Sequence, residues 1–152
     1  MDWQKLEENI YYLDGSLRDI YIHGTTKDDW FVWSNFVNEN YKTLFFNSEN
    51  KEIEDKIDVT KAFEYLEYPD KSRCHASIFI DDIQVQAYFF AEEEIENDIM
   101  PTEIKSIDDH IKLVDYMIKL SHLLNKKVIL TPENTPEIAL ITVNYNDVKI
   151  DL

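Results

Sequence analysis

Residues 74–100 read Cys-His-Ala-Ser-Ile-Phe-Ile-Asp-Asp-Ile-Gln-Val-Gln-Ala-Tyr-Phe-Phe-Ala-Glu-Glu-Glu-Ile-Glu-Asn-Asp-Ile-Met, and their parity decides the fold. Cys74, Ala76, Ile78 and Ile80 alternate with His75, Ser77, Phe79 and Asp81. Ile83, Val85, Ala87 and Phe89 then alternate with Gln84, Gln86, Tyr88 and Phe90. Beyond Glu92-Glu93, Ile95, Asn97 and Ile99 alternate with Glu94, Glu96 and Asp98. A period of two marks strands with one buried face. Short breaks at Asp81-Asp82 and Glu92-Glu93 join the three strands into an antiparallel meander. No Lys or Arg falls between Arg73 and Lys105, yet eight carboxylates do: Asp81, Asp82, Glu92, Glu93, Glu94, Glu96, Asp98 and Glu103. Charge is costly to bury, so these groups must face solvent, a cation or a partner.

Outward from this meander, helices and strands alternate. Ser106 followed by Asp108 and Asp109 opens a helix whose stripe is Leu113, Met117, Leu120 and Leu124, closed by Lys126 and Lys127. Val128–Thr131 and Glu137–Val143 read as strands around a Pro132–Pro136 loop, and Asn146-Asp147 turns the chain into Val148–Leu152. On the other side, Asp58 caps a short helix with Val59, Ala62, Phe63 and Leu66, and Thr43–Phe46 is a strand followed by a polar loop over 47–54. Thr26 caps a helix carrying Trp30, Trp33 and Val37 on one face. At the start, a helix over 2–8 leads into a hairpin, Ile10–Leu13 against Ser16–Ile22, turning at Asp14-Gly15. The expected fold is one α+β domain over 1–152, mainly an antiparallel sheet with about three helices packed on it.

Composition narrows the function. The chain has 152 residues, 44% hydrophobic and 13% aromatic, with 2 Gly, enough apolar material for a core. Its net charge of −16 comes from 31 acids against 15 bases. Such a field repels nucleic acid and anionic membranes and attracts a basic protein; it also serves solubility alone. The single cysteine, Cys74, excludes an intrachain disulfide framework and fits a reducing compartment. No basic segment followed by an apolar run opens the chain, and no apolar run is long enough to span a bilayer, so a cytoplasmic protein is expected.

Familiar catalytic signatures are missing. Two glycines, Gly15 and Gly24, cannot build a phosphate loop. Cys74 and His75 would point to opposite faces of a strand. His110 and His122 lie about three turns apart on one helix, too far to share a metal. Along one strand face, Glu94, Glu96 and Asp98 are spaced about 6.7 Å apart, against calcium–oxygen distances of about 2.3–2.6 Å. The row is also sparser than duplex DNA, with its charge per roughly 1.7 Å, which weakens mimicry of nucleic acid. No catalytic residue, metal site or cofactor is therefore assigned. Tyr88 and Phe90 share their strand face with Gln84 and Gln86; a helix covers that face, or it is open to a partner.

Three stretches carry a resemblance: Gly15-Ser16-Leu17-Arg18-Asp19-Ile20-Tyr21, Ile95–Asp98 with Pro101–Ile104, and Ile129–Ile138 around Thr131-Pro132-Glu133-Asn134. Together they resemble a group of small bacterial single-domain proteins with no assigned activity. In size, acidity and α+β make-up the chain is also similar to immunity proteins that neutralise bacterial toxins. The resemblance implies a bacterial protein and carries no functional residue across. The expected function is thus a non-enzymatic acidic interaction domain binding a basic protein, of immunity type, through Glu92, Glu93, Glu94, Glu96 and Asp98 with Tyr88 beside them. The alternatives are a small hydrolase or metal enzyme using carboxylates with His75 or His110, and a structural homodimer subunit.

Overall fold

The computed structural model describes residues 1–70 and 73–152. In chain order the elements are α1 (Trp3–Asn9), β1 (Arg18–His23), α2 (Lys27–Asn40), β2 (Lys42–Asn47), β3 (Glu52–Glu54), α3 (Val59–Ala62), α4 (Glu64–Glu67), β4 (His75–Ile80), β5 (Ile83–Ala91), β6 (Glu94–Ile99), α5 (Ile107–Leu124), β7 (Val128–Pro132), β8 (Ile141–Asn144) and β9 (Asp147–Ile150). All nine strands join one sheet in the order β3-β2-β4-β5-β6-β1-β7-β8-β9. Every neighbouring pair is antiparallel.

The meander forms where its parity places it. Ile80 pairs with Ile83 across a turn in which Asp81 has φ +51°, a left-handed backbone that Asp tolerates. Between β5 and β6 the register slips by one residue, from Tyr88↔Glu96 to Ala91↔Glu94, a β-bulge. The bulge carries the strand end to the Glu92-Glu93 turn, which is pinned to the start of α2. Thr25 Oγ1 donates to the Glu92 carbonyl at 2.7 Å and Trp30 Nε1 to the same oxygen at 3.0 Å.

The helices lie on one face. Thr26 and Asp29 form a reciprocal capping box at α2; Ser106 caps α5, and Asn125 ends it in a left-handed conformation at φ +56°. Trp30 packs against Trp33, Phe63 and Phe89 at ring distances of 5.3, 5.1 and 5.3 Å. Ile78, Val85, Ala87, Ile95 and Ile99 point into the same layer and are buried. Asn97 points there too: Trp33 Nε1 donates to the Tyr116 hydroxyl at 3.2 Å, which donates to Asn97 Oδ1 at 2.7 Å.

Three sequence expectations are corrected. Residues 10–13 form no strand. Arg18, fully buried, instead draws this segment inward: its Nε donates to the Ile10 carbonyl at 2.7 Å, and its other nitrogens to the Tyr12 and Leu17 carbonyls. The turn at Gly15, φ +85°, is present, but β1 pairs with β6 and β7 rather than with its own upstream residues. The expected strand over 137–143 is only β8, because Asn134 at φ +56° folds the loop back on itself. The polar loop after β2 contains an unforeseen edge strand, β3.

Candidate protein-interaction face

The opposite face of the sheet carries no helix among the described residues. Register defines a row that crosses all nine strands: Ile53, Phe46, His75, Tyr88, Glu96, Tyr21, Ile129, Thr142 and Lys149. From β2 to β6 the side chains of this face are half-buried or exposed, whereas their strand neighbours on the helical side are buried. Phe90 retains 45% of its exposure. Tyr88 and Phe90 stack on each other at 5.6 Å; α4 reaches only the rim here, where the Tyr65 hydroxyl donates to the Phe90 carbonyl at 2.7 Å and the Arg73 guanidinium lies 5.0 Å from the Tyr65 ring and 5.4 Å from the Phe90 ring.

Parity gathers the acidic row. Glu94, Glu96 and Asp98 all project from β6 to this face, opposite His23, Tyr21 and Asp19 of β1 respectively. Glu92 and Glu93 do not join them; they form the turn beyond the end of β6 and serve α2 through their carbonyls. Two acids from distant parts of the chain, Asp19 and Glu133, complete the group. Asp19 is buried, with its Oδ2 accepting from the Tyr21 hydroxyl at 3.0 Å and from the Asn134 amide at 2.7 Å. Glu133 accepts from the Leu17 amide at 2.7 Å. The 132–136 loop thus folds over the end of β1 and holds Asp19 in place. Cross-strand pairing of β1 with β6 was the missing signal, since the two lie far apart in the chain. Arg18 and Asp19, adjacent in sequence, point to opposite faces and form no pair.

The electrostatics are those of crowded like charges. Desolvation, with the charges of Asp19 and Glu94, pushes Glu96 up to about 7. Desolvation, with Asp19, Glu96 and Glu133, pushes Asp98 up to about 7. Asp19 is raised as well, mainly by burial, against the hydrogen bonds that favour its charged form. Burial and the charges of Asp98, Glu96 and Asp19 raise the Tyr88 phenol. At the rim, His23 Nδ1 lies 3.0 Å from Glu94 Oε1.

The histidines of the enzymatic alternative are placed differently. His110 is buried on the helical side, its Nδ1 2.7 Å from the Tyr11 hydroxyl, and burial lowers it to about 4. His75 is exposed on the open face, stacked on Phe46 at 4.9 Å. Among the described residues, no group of three or more His, Cys, Asp or Glu is arranged to hold a metal ion, and no helix is long and apolar enough to cross a membrane. Cys74 is buried beside Ser48.

No protein-family model matches the chain, and no curated protein matches it. Its fold is similar to a chain in the crystal structure of the toxic C-terminal tip of CdiA from Pseudomonas aeruginosa in complex with immune protein. The TM-score is 0.51 at 10% identity, over 90% of this chain and 99% of that one. At that identity the likeness is one of fold.

Proposed function

We propose that this chain is a binding domain of immunity type, which neutralises a basic protein toxin by masking it. The observation that carries the reading is the base-free carboxylate row Glu94, Glu96 and Asp98 on a sheet face that no described helix covers. Carboxylates held above their ordinary range are energetically unsatisfied where they stand, and a partner's Lys or Arg relieves them. The net charge of −16 steers such a partner toward the chain. The fold likeness to a chain of a toxin–immune protein complex supports the same role. Chemistry on a substrate has no comparable support, since His110 is spent on Tyr11 in the core.

The test uses the protein encoded beside this one. Co-expression should rescue cells from its toxicity, and the purified pair should form a stoichiometric complex. Glu94→Lys with Glu96→Lys should weaken that complex by about tenfold or more, chiefly through faster dissociation. The fold should persist, because a cation among these acids relieves repulsion. Unchanged affinity after reversal removes the acidic row from the interface.

A further inference from the structure

The acidic row is one end of a larger surface. Following the cross-strand row away from β1, Glu96 is succeeded by Tyr88, His75, Phe46 and Ile53, one residue per strand. Counted from Tyr21 on β1, five inter-strand steps of about 4.8 Å make this row about 24 Å long. That is close to the width of a standard interface of about 800 Å² per partner. The side chains are unlike those of an ordinary solvated sheet face. Phe46 stacks on His75, Tyr88 stacks on Phe90, and Ile53 is 68% exposed. Rings already stacked have lost much of their rotamer freedom, so covering them costs little further entropy.

Charge is uneven across the surface. At the β6–β1 end stand Glu94, Glu96, Asp98 and the buried Asp19. Away from β6 two cations stand beside rings, at opposite ends of the strands: the Arg73 guanidinium lies 5.4 Å from the Phe90 ring of β5, and Lys42 Nζ 5.5 Å from the Phe79 ring of β4, while the far edge strand β3 carries Glu52 and Glu54 on either side of Ile53. From β2 to β1 the acids of the open face stand on β6 and β1, and the open-face positions of β2, β4 and β5 include rings, amides and Lys42 but no acid, so a partner laid across the row meets an aromatic floor bordered by acids at the β6–β1 side.

We propose that the helix-free face from β3 to β1 is a single docking surface for a protein whose epitope sets apolar or aromatic side chains beside a cluster of Lys or Arg. The inference rests on the binding role proposed above and assigns its interface. The apolar anchors of the partner cover Phe46, His75 and Tyr88, and its cations meet Glu96 and Asp98. The acids fix the orientation, because the reversed pose would set the partner's cations over β4 and β2, whose open-face positions include no acid. The protonation of Glu96 and Asp98 near neutrality is in keeping with this: the partner's cations would displace protons that the empty surface retains.

The full chain is titrated with two capped octapeptides of equal charge, alternating Arg-Trp and alternating Arg-Ser, while backbone amide shifts are followed by NMR. The expected shifts lie in β1, β2, β4, β5 and β6 and not on the exposed sides of α2 and α5. Arg-Trp should bind about fivefold or more tighter than Arg-Ser. Phe46→Thr with His75→Thr, which keeps strand propensity, should erase that preference; Glu96→Gln with Asp98→Asn should weaken both peptides. Shifts on the helical layer, a preference that survives the Phe46 and His75 changes, or failure of either peptide to bind overturns the proposal. The same variants are then tested on the toxin complex. If the peptides behave as expected but the neighbouring protein is not bound, the surface stands and the immunity role falls. If that protein is bound with wild-type affinity by both double variants, the role stands and this surface falls.

Discussion

Asp19 and Asp98 lie directly opposite each other across the β1–β6 pair, two carboxylates in register on the same face. Burial raises the pKa of each, and like charges so placed further disfavour joint ionisation. Asp98 and Glu96 rise to about 7 in the folded protein from ordinary values of 3.8 and 4.5. The folded state therefore retains protons that the unfolded chain releases. The stability this confers is complete below the unfolded values and is lost as pH rises through about 7. The wild type should lose melting temperature relative to Asp98→Asn with Glu96→Gln as pH rises from about 4 to about 7, and the double variant should melt a few degrees higher at pH 8. Calorimetry from about pH 4.5 to pH 8 decides the matter, and a difference between the two proteins that does not change with pH would refute the raised values.

His110 works in the opposite direction at lower pH. Burial holds it down at about 4 from an ordinary 6.5, with the Tyr11 hydroxyl on its Nδ1. A depressed base contributes stability above its unfolded value, and that contribution is lost as pH falls toward 4. Tyr11→Phe with His110→Phe removes the titration without leaving an orphaned hydroxyl. In urea unfolding, this double variant should lose less stability than wild type between pH 7 and about pH 5. The single His110→Phe change should cost about 1–3 kcal/mol, because the buried Tyr11 hydroxyl then has no partner.

The Trp33–Tyr116–Asn97 chain joins both long helices' layer to β6. The Asn97 Nδ2 group is buried with no hydrogen-bond partner among the described residues. Tyr116→Phe breaks two hydrogen bonds and leaves the Asn97 side chain with no hydrogen-bond partner among the described residues. We expect a loss of about 1–3 kcal/mol by chemical denaturation. Asn97→Val, which removes the orphaned amide together with the acceptor, should cost less than Tyr116→Phe; the reverse order would show that the Asn97 amide makes a stabilising contact of its own.

Arg18 holds the 10–17 segment by donating to the main-chain carbonyls of Ile10, Tyr12, Ser16 and Leu17 and by lying 3.9 Å from the Tyr12 ring centroid. Lysine cannot reproduce this fan of donors. Arg18→Lys should destabilise the protein by about 2 kcal/mol or more. Limited proteolysis should then cut near Leu13, which is exposed already. A variant as resistant as wild type would mean that the segment is held by Leu6, Ile10 and Tyr11 alone.

The elements with strong local signals were legible in the chain. The meander followed from parity, α2 and α5 from their caps and apolar stripes, and the outward set of Glu94, Glu96 and Asp98 from strand alternation. What sequence could not supply was pairing between distant segments. The Asp-Gly signal at 14–15 reported a real turn but not a hairpin, since a buried arginine competes for the upstream carbonyls. Asp19 and Glu133 belong to the acidic group only because β1 inserts between β6 and β7, a relation between residues more than a hundred positions apart that no local pattern records. Glu92 and Glu93, next to the row in sequence, fall outside it because the chain reverses there.

The place of β1 in the sheet has a consequence for how the chain is made. The β4–β5–β6 meander closes through neighbouring residues and can assemble as soon as it emerges, whereas β1, synthesised much earlier, bonds along one edge to β6 and along the other to β7. Its second edge stays unpaired until residues 128–132 have left the ribosome. The rate-limiting event in folding is therefore expected to be the capture of the oldest strand by the youngest part of the sheet, and a nascent chain lacking β7 would expose that edge to its neighbours.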